Sequence, residues 1–159
     1  MIPILDSKRQ YATIGAEVEK AVCEVLRSGS YILGPNCKAL EAELAKYIGC
    51  NYTVTLNSGT DALHLALRAL DIGAGDEVIV QSFTFCASSN PIVYLGATPV
   101  FVDSERDSWN MDPQLLEQAI VDRIAKTGRK PKAIIPVYLY GMPAKIDEIL
   151  DIAQKYDIA

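Results

Sequence analysis

Four short runs rich in β-branched and apolar residues punctuate a chain otherwise written in helical spacing: YTVTLN (52–57), EVIVQ (77–81), TPVFVD (98–103) and KAIIPVY (132–138). Each is too short for a helix, and each is separated from the next by a segment of helical period. Antiparallel strands can be joined by a tight turn, whereas strands separated by helices call for βαβ crossovers. The continuous apolar character of EVIVQ suits a strand buried on both faces. The expected class is therefore α/β, a mainly parallel sheet with helices on both faces.

The helical segments carry their own punctuation. Residues 13–28 place Ile14, Val18, Val22, Val25 and Leu26 on one stripe and stop at Gly29, where a positive φ ends the helix. After the loop YILGPN, a second helix carrying Leu40 and Leu44 runs to about Ile48. A third, 58–70, sets Leu63, Ala66, Leu67 and Leu70 at i, i+3, i+4 and i+7. The segment from Cys86 to Leu95 contains Pro91, which starts or kinks it. Asp112 caps a helix with Pro113 in its first position, and a last helix over 143–156, also opened by proline, aligns Ile146, Ile149, Leu150 and Ala153. No linker, repeat or low-complexity stretch divides the chain, and its length suits one compact domain or part of one.

Composition narrows the partners. Fifteen Lys and Arg against twenty Asp and Glu give a net charge of −5, so nucleic acid and anionic membrane surfaces are not expected partners. No apolar stretch is long enough to cross a bilayer, and a soluble, cytoplasmic protein is expected. Cys23, Cys37, Cys50 and Cys86 form no C-x-x-C pair and His64 is the lone histidine. No metal site is expected, and the thiols read as reduced and mostly buried.

Two strand-to-helix joints carry the chemistry. In TLNSGTDALHLAL (55–67), a β run breaks at Asn57-Ser58-Gly59 and feeds straight into a helix. Such a joint presents free N–H groups and the positive end of the helix dipole at the carboxyl edge of the sheet, a seat for phosphate. Gly59 lets an anion approach the backbone and Thr60 adds a hydroxyl. Ser58 and Asp61 also fit an S-x-x-D capping box, which explains the same residues by helix capping alone, so both readings stand. The second joint is QSFTFCASS (81–89). Phe83 and Phe85 share one face of an extended segment, where one ring can lie over a ring-shaped cofactor or both can pack in the core.

The succession YILGP, NSGTDALHLAL, GDEVIVQSFTFCAS, LGATPVFVD and AIIPVYLYG resembles the amino-terminal part of the DegT/DnrJ/EryC1/StrS family, the pyridoxal-phosphate-dependent sugar aminotransferases of fold type I. Five blocks agree in order and spacing across the chain. The resemblance implies that Gly59 and Thr60, with Ser58, bind the cofactor phosphate, that Phe85 stacks on the pyridine ring, and that Phe83 packs. It implies weaker roles for Tyr31 and Tyr138 as contacts for sugar or nucleotide. Gln81 stands where proline is frequent in the family, a departure outside the expected contacts.

The resemblance also implies what lies beyond residue 159: an aspartate for the pyridinium nitrogen, the lysine that tethers the cofactor, and the small domain. Residues 1–159 are thus expected to be the amino-terminal portion of the major domain, truncated and inactive alone. In the fold-type-I sheet, the strand at 53–57 neighbours a later strand and not those at 78–81, 99–103 and 133–138, so its backbone groups lack a ladder here. The activity implied for the intact protein is transfer of an amino group, from glutamate, to a nucleotide-linked keto sugar, in a homodimer serving surface-polysaccharide or modified-sugar biosynthesis. Sugar dehydration with the same cofactor is one alternative. A non-catalytic α/β binding module is another, although Ser-Gly-Thr-Asp replaces the G-x-G-x-x-G turn such a module needs.

Overall fold

A computed structural model describes residues 5–159, which fall into two compact units divided between Thr55 and Leu56. The first holds helices α1 (Ser7–Ser28) and α2 (Pro35–Ile48). Helix α1 begins earlier than its apolar spacing suggests because Asp6 caps it, its carboxylate accepting from the Arg9 N–H at 3.0 Å. Gly29 ends it with φ 67°. The stripe Ile14, Val18, Val22 and Leu26 is present but exposed, and Gly15 is the only buried residue of α1.

The expected strand at 52–57 does not form: residues 52–56 run without a ladder. Among the described residues no strand lies alongside, and Glu41 on α2 takes up part of the exposed edge. Its carboxylate accepts from the Thr55 N–H at 2.9 Å and the Thr55 hydroxyl at 2.8 Å, and its carbonyl accepts from the Thr53 hydroxyl at 2.5 Å. The Thr55 N–H holds the Glu41 carboxyl below its ordinary pKa.

The second unit is the α/β body. Helix α3 (Gly59–Ala69) leads to β1 (Glu77–Gln81), a 3-10 turn at Cys86–Ser88, α4 (Asn90–Tyr94), β2 (Thr98–Val102), α5 (Pro113–Thr127), β3 (Ala133–Ile135), a second 3-10 turn at Leu139–Gly141, and α6 (Ile146–Tyr156). The three strands form a parallel sheet ordered β2-β1-β3, with Ile79 opposite Val100 and Ile134. Because side chains alternate along a strand, Val78 and Val80 enter one core with Leu67 of α3 and Ile92 of α4. Ile79 enters the other with Leu116 and Ile120 of α5 and Ile149 of α6. Helices thus cover both faces, as expected. Arg123 of α5 holds the Glu77 carboxylate with two nitrogens, at 2.9 and 2.5 Å, pinning α5 to the start of β1.

Several expected boundaries move. Pro91 stands in the first turn of α4, after the separate turn at 86–88, as its fixed φ and missing N–H require. Asp112 and Pro113 open α5 as read. Strand β3 stops at Ile135, since Pro136 cannot donate to the ladder. Helix α6 starts at Ile146 and not at Pro143, and its inner face is Ile149, Ile152 and Tyr156, with Leu150 exposed. On α3, Leu67 is buried and Leu63 packs against the core, but Leu70 is exposed.

The thiols correct the expectation of burial: Cys23, Cys50 and Cys86 are exposed and Cys37 is intermediate. Cys23 rides the uncovered surface of α1, and Cys86 opens the turn at the sheet's carboxyl edge. Among the described residues, no group of His, Cys, Asp or Glu is arranged to hold a metal ion, and no helix is long and apolar enough to cross a membrane.

Candidate functional site

The sheet order locates a crevice before any residue role is assigned. Strand β1 leads through α4, on one face, to β2, whereas β3 leads to α6 on the other face. Connections departing to opposite sides open a gap between the carboxyl ends of β1 and β3, the switch point at which open α/β sheets bind ligands. Residues 82–85 leave β1 on one side of it, and Tyr138 and Tyr140 follow β3 on the other.

At the first joint, Ser58 is the N-cap of α3. Its hydroxyl accepts from the Asp61 N–H at 3.1 Å and donates to the Asp61 carboxylate at 2.8 Å. The capping reading of Ser58 is therefore realised. That cap does not engage the N–H groups of Gly59 and Thr60, first-turn donors with no intrahelical acceptor, or the Thr60 hydroxyl. A Cβ placed on Gly59 would meet nothing within 4 Å, so the backbone at this position is open to an approaching group. Free N–H groups, a hydroxyl and the helix dipole at an open glycine fit the phosphate of pyridoxal phosphate.

The turn at 86–88 packs against α3, the helix that the first joint opens. Phe85 is extended and 78 % exposed, whereas Phe83, 53 % exposed, leans on Trp109 with ring centroids 5.8 Å apart. An exposed aromatic at the carboxyl end of a strand is what stacking on a planar cofactor requires. The Thr84 and Ser88 hydroxyls meet at 3.1 Å and close the segment on its turn.

Tyr138, half-exposed, sits at the end of the β3 extension, where its carbonyl accepts from the Gly141 N–H at 3.0 Å. Tyr31 belongs to the first unit. Its hydroxyl donates to the Leu26 carbonyl at 3.0 Å, and it lines a cavity of about 490 Å³ formed by residues 29–35 and Lys38. Ser58, Gly59, Thr60, Phe85 and Tyr138 thus lie in the α/β body, and Tyr31 in the other unit.

Residue-by-residue reading missed the polar framework beneath this edge. Gln81 and Asn110 are both fully buried, as is Glu105 apart from 7 % of its surface. The Glu105 carboxylate accepts from the Ser108 hydroxyl, and from the N–H groups of Asp107 at 2.7 Å and Ser108 at 2.8 Å, with Lys145 at 3.7 Å. The Ser108 hydroxyl first, and these amides after it, hold its pKa down to about 2. The available signal was a lone glutamine closing an otherwise apolar strand. A cavity of about 740 Å³ opens over this framework, lined by Phe83, Trp109, Leu139, Tyr140 and Met142 among others.

The comparisons agree with this architecture. The sequence model of the DegT/DnrJ/EryC1/StrS aminotransferase family matches residues 12–159. The chain is 46 % identical over 158 residues to a UDP-2-acetamido-2-deoxy-3-oxo-D-glucuronate aminotransferase of Pseudomonas aeruginosa, covering 99 % of this chain and 42 % of that protein. Its fold matches the crystal structure of a DegT DnrJ EryC1 StrS aminotransferase from Brucella abortus with TM-score 0.94 and 39 % identity, over 99 % of this chain and 42 % of that one. NtdA from Bacillus subtilis, solved with bound cofactor PMP, matches with TM-score 0.88 and 31 % identity, over 99 % and 35 % respectively. The chain therefore spans about two fifths of the length of the first two of these relatives, and less of the third.

Proposed function

The chain belongs to the DegT/DnrJ/EryC1/StrS aminotransferase family, and from that premise we propose that the whole protein transfers an amino group, from glutamate, to the keto carbon of a nucleotide-linked sugar, using pyridoxal phosphate. Residues 1–159 are then the amino-terminal portion of its cofactor-binding major domain. A homodimer in the cytoplasm, serving polysaccharide or modified-sugar biosynthesis, completes the reading. The Pseudomonas relative is named for a nucleotide-linked oxo sugar, and the Bacillus structure holds PMP, the amino form of the cofactor.

What supports the reading is that the turn Cys86–Ser88, which Phe85 precedes, packs against α3, the helix whose first-turn N–H groups its serine cap leaves unengaged. Bound there, pyridoxal phosphate supplies the electron sink that lets an amino group leave one carbon for another. The chain's own residues hold and orient it. The N–H groups of Gly59 and Thr60 and the Thr60 hydroxyl take the phosphate, helped by the dipole of α3. Ser58 keeps the first turn wound so that those donors point outward together. The Phe85 ring covers one face of the pyridine, shielding it from water, and Tyr138 contacts the sugar or nucleotide. The lysine that tethers the cofactor and moves the proton lies outside residues 1–159.

The test is a cofactor titration of the whole protein, followed by addition of glutamate while the visible absorbance of the cofactor is recorded. Stoichiometric binding and conversion of the aldehyde form to the amine form by glutamate are expected. In Phe85→Leu, affinity falls by about fivefold, since stacking of this kind is worth about 1 kcal/mol beyond the apolar contact. A whole protein that binds no pyridoxal phosphate, or binds it without conversion by any amino acid, overturns the reading.

A further inference from the structure

Gln81 closes β1 with its carboxamide fully buried and three hydrogen bonds made. Its Nε2 donates to the carbonyls of Phe83 at 2.8 Å and Trp109 at 3.0 Å, and its Oε1 accepts from the Met111 N–H at 2.9 Å. One side chain therefore ties the segment leaving β1 to the loop that precedes α5. The tie grips backbone that is otherwise hard to hold. Trp109 has φ 62°, a left-handed conformation that bulky residues avoid, and the carboxamide clasps it from both sides through Trp109 and Met111.

The residue between them repeats the device. Asn110, also buried, accepts from the Leu139 N–H at 2.8 Å and donates to the Met142 carbonyl at 2.8 Å, bracketing Tyr140 at φ 51°. Two buried amides thus link the three loops at the carboxyl edge in series. Buried carbonyls left without donors are costly, so this linkage has one low-energy arrangement.

We propose that Gln81 is a positioning residue for the cofactor: its buried carboxamide, by fixing the Phe83 carbonyl against the Trp109 loop, sets where the Phe85 ring stands beside the N-terminus of α3. Phe85 is two residues beyond the anchored carbonyl, and the Thr84–Ser88 hydroxyl contact spans it on the other side, so the backbone that carries the ring is held between two pins. The role rests on the proposed cofactor reading, while the anchoring itself does not.

The experiment uses the whole protein with Gln81→Met, which keeps the side-chain length and removes all three bonds, and Gln81→Glu, which keeps the acceptor toward Met111 and removes both donors. Pyridoxal phosphate is the probe, read by its dissociation constant and the visible circular dichroism of the bound cofactor, with deuterium uptake followed at 82–85 and 133–135. In both variants, affinity is expected to fall about tenfold and the dichroic band to shrink. Uptake rises at 82–85 while 133–135 stay protected. If Gln81→Met fails to fold, Gln81→Glu decides. An unchanged dichroic band and affinity within about twofold of the parent in a folded variant would overturn the proposal. A parent that binds no pyridoxal phosphate overturns the functional reading instead, and with it the role toward the cofactor. In that case a rise confined to 82–85 still distinguishes a broken anchor from an absent cofactor.

Discussion

Capping and phosphate binding, both of which the sequence offers to Ser58, fall to different residues. The Ser58 hydroxyl is spent on Asp61, whereas the Thr60 hydroxyl is not engaged by the cap. Ser58→Ala should therefore lower stability by about 1 kcal/mol, a cap's usual worth. Thr60→Ala should leave the unfolding transition in place and weaken cofactor binding by about tenfold or more, as expected for one hydrogen bond to a charged group. Thermal unfolding and cofactor titration of the whole protein separate the two. Equal effects on both measurements would contradict the division. Glu105 carries a pH dependence. Its folded pKa, about 2, lies below the ordinary 4.5, so its contribution to stability is complete above about 4.5 and is lost as pH falls through 2. Glu105→Gln should flatten the acid limb of thermal midpoint against pH between about 5 and 2 and leave its shape above pH 6 unchanged. An acid limb as steep as the parent's would contradict this. The capping box was legible because its signal is local, whereas the residue pattern left Phe83 and Phe85 equivalent and only the family resemblance singled out Phe85. The roles of Gln81 and Asn110 were not legible, because they bind backbone groups 28 to 32 residues away, brought near only by the fold.

The elements show which patterns translate. EVIVQ and TPVFVD became strands nearly residue for residue because both are paired in the sheet, β1 on both sides. YTVTLN has comparable β propensity and no strand, since propensity forms a ladder only where a partner lies alongside. On the proposed reading, a later strand of the whole protein is that partner. In the whole protein the amides of Val54 and Leu56 should then resist hydrogen exchange as β1 does. Exchange at loop rates would show that the segment stays unpaired. Proline and capping residues set helix starts well at α4 and α5, where an acidic cap or a turn backed the signal. At Pro143 the proline stood alone, and α6 waited three residues to begin.

At the scale of the molecule, the parallel order β2-β1-β3 with helices on both faces was readable from alternation alone, because buried parallel strands and their crossovers leave one strong pattern. The exposed stripe of α1 and the exposed thiols were not, since periodicity reports that a face is apolar and not what covers it. The central claim is a division of labour: residues 1–159 seat the phosphate and cover the ring, and the covalent chemistry belongs to a lysine elsewhere in the whole protein. Borohydride reduction of the whole protein with pyridoxal phosphate, followed by mass-spectrometric mapping of the modified lysine, tests it directly. The account predicts one stoichiometric adduct outside residues 1–159. A stoichiometric adduct on any lysine within them, such as Lys132 or Lys145, would contradict it.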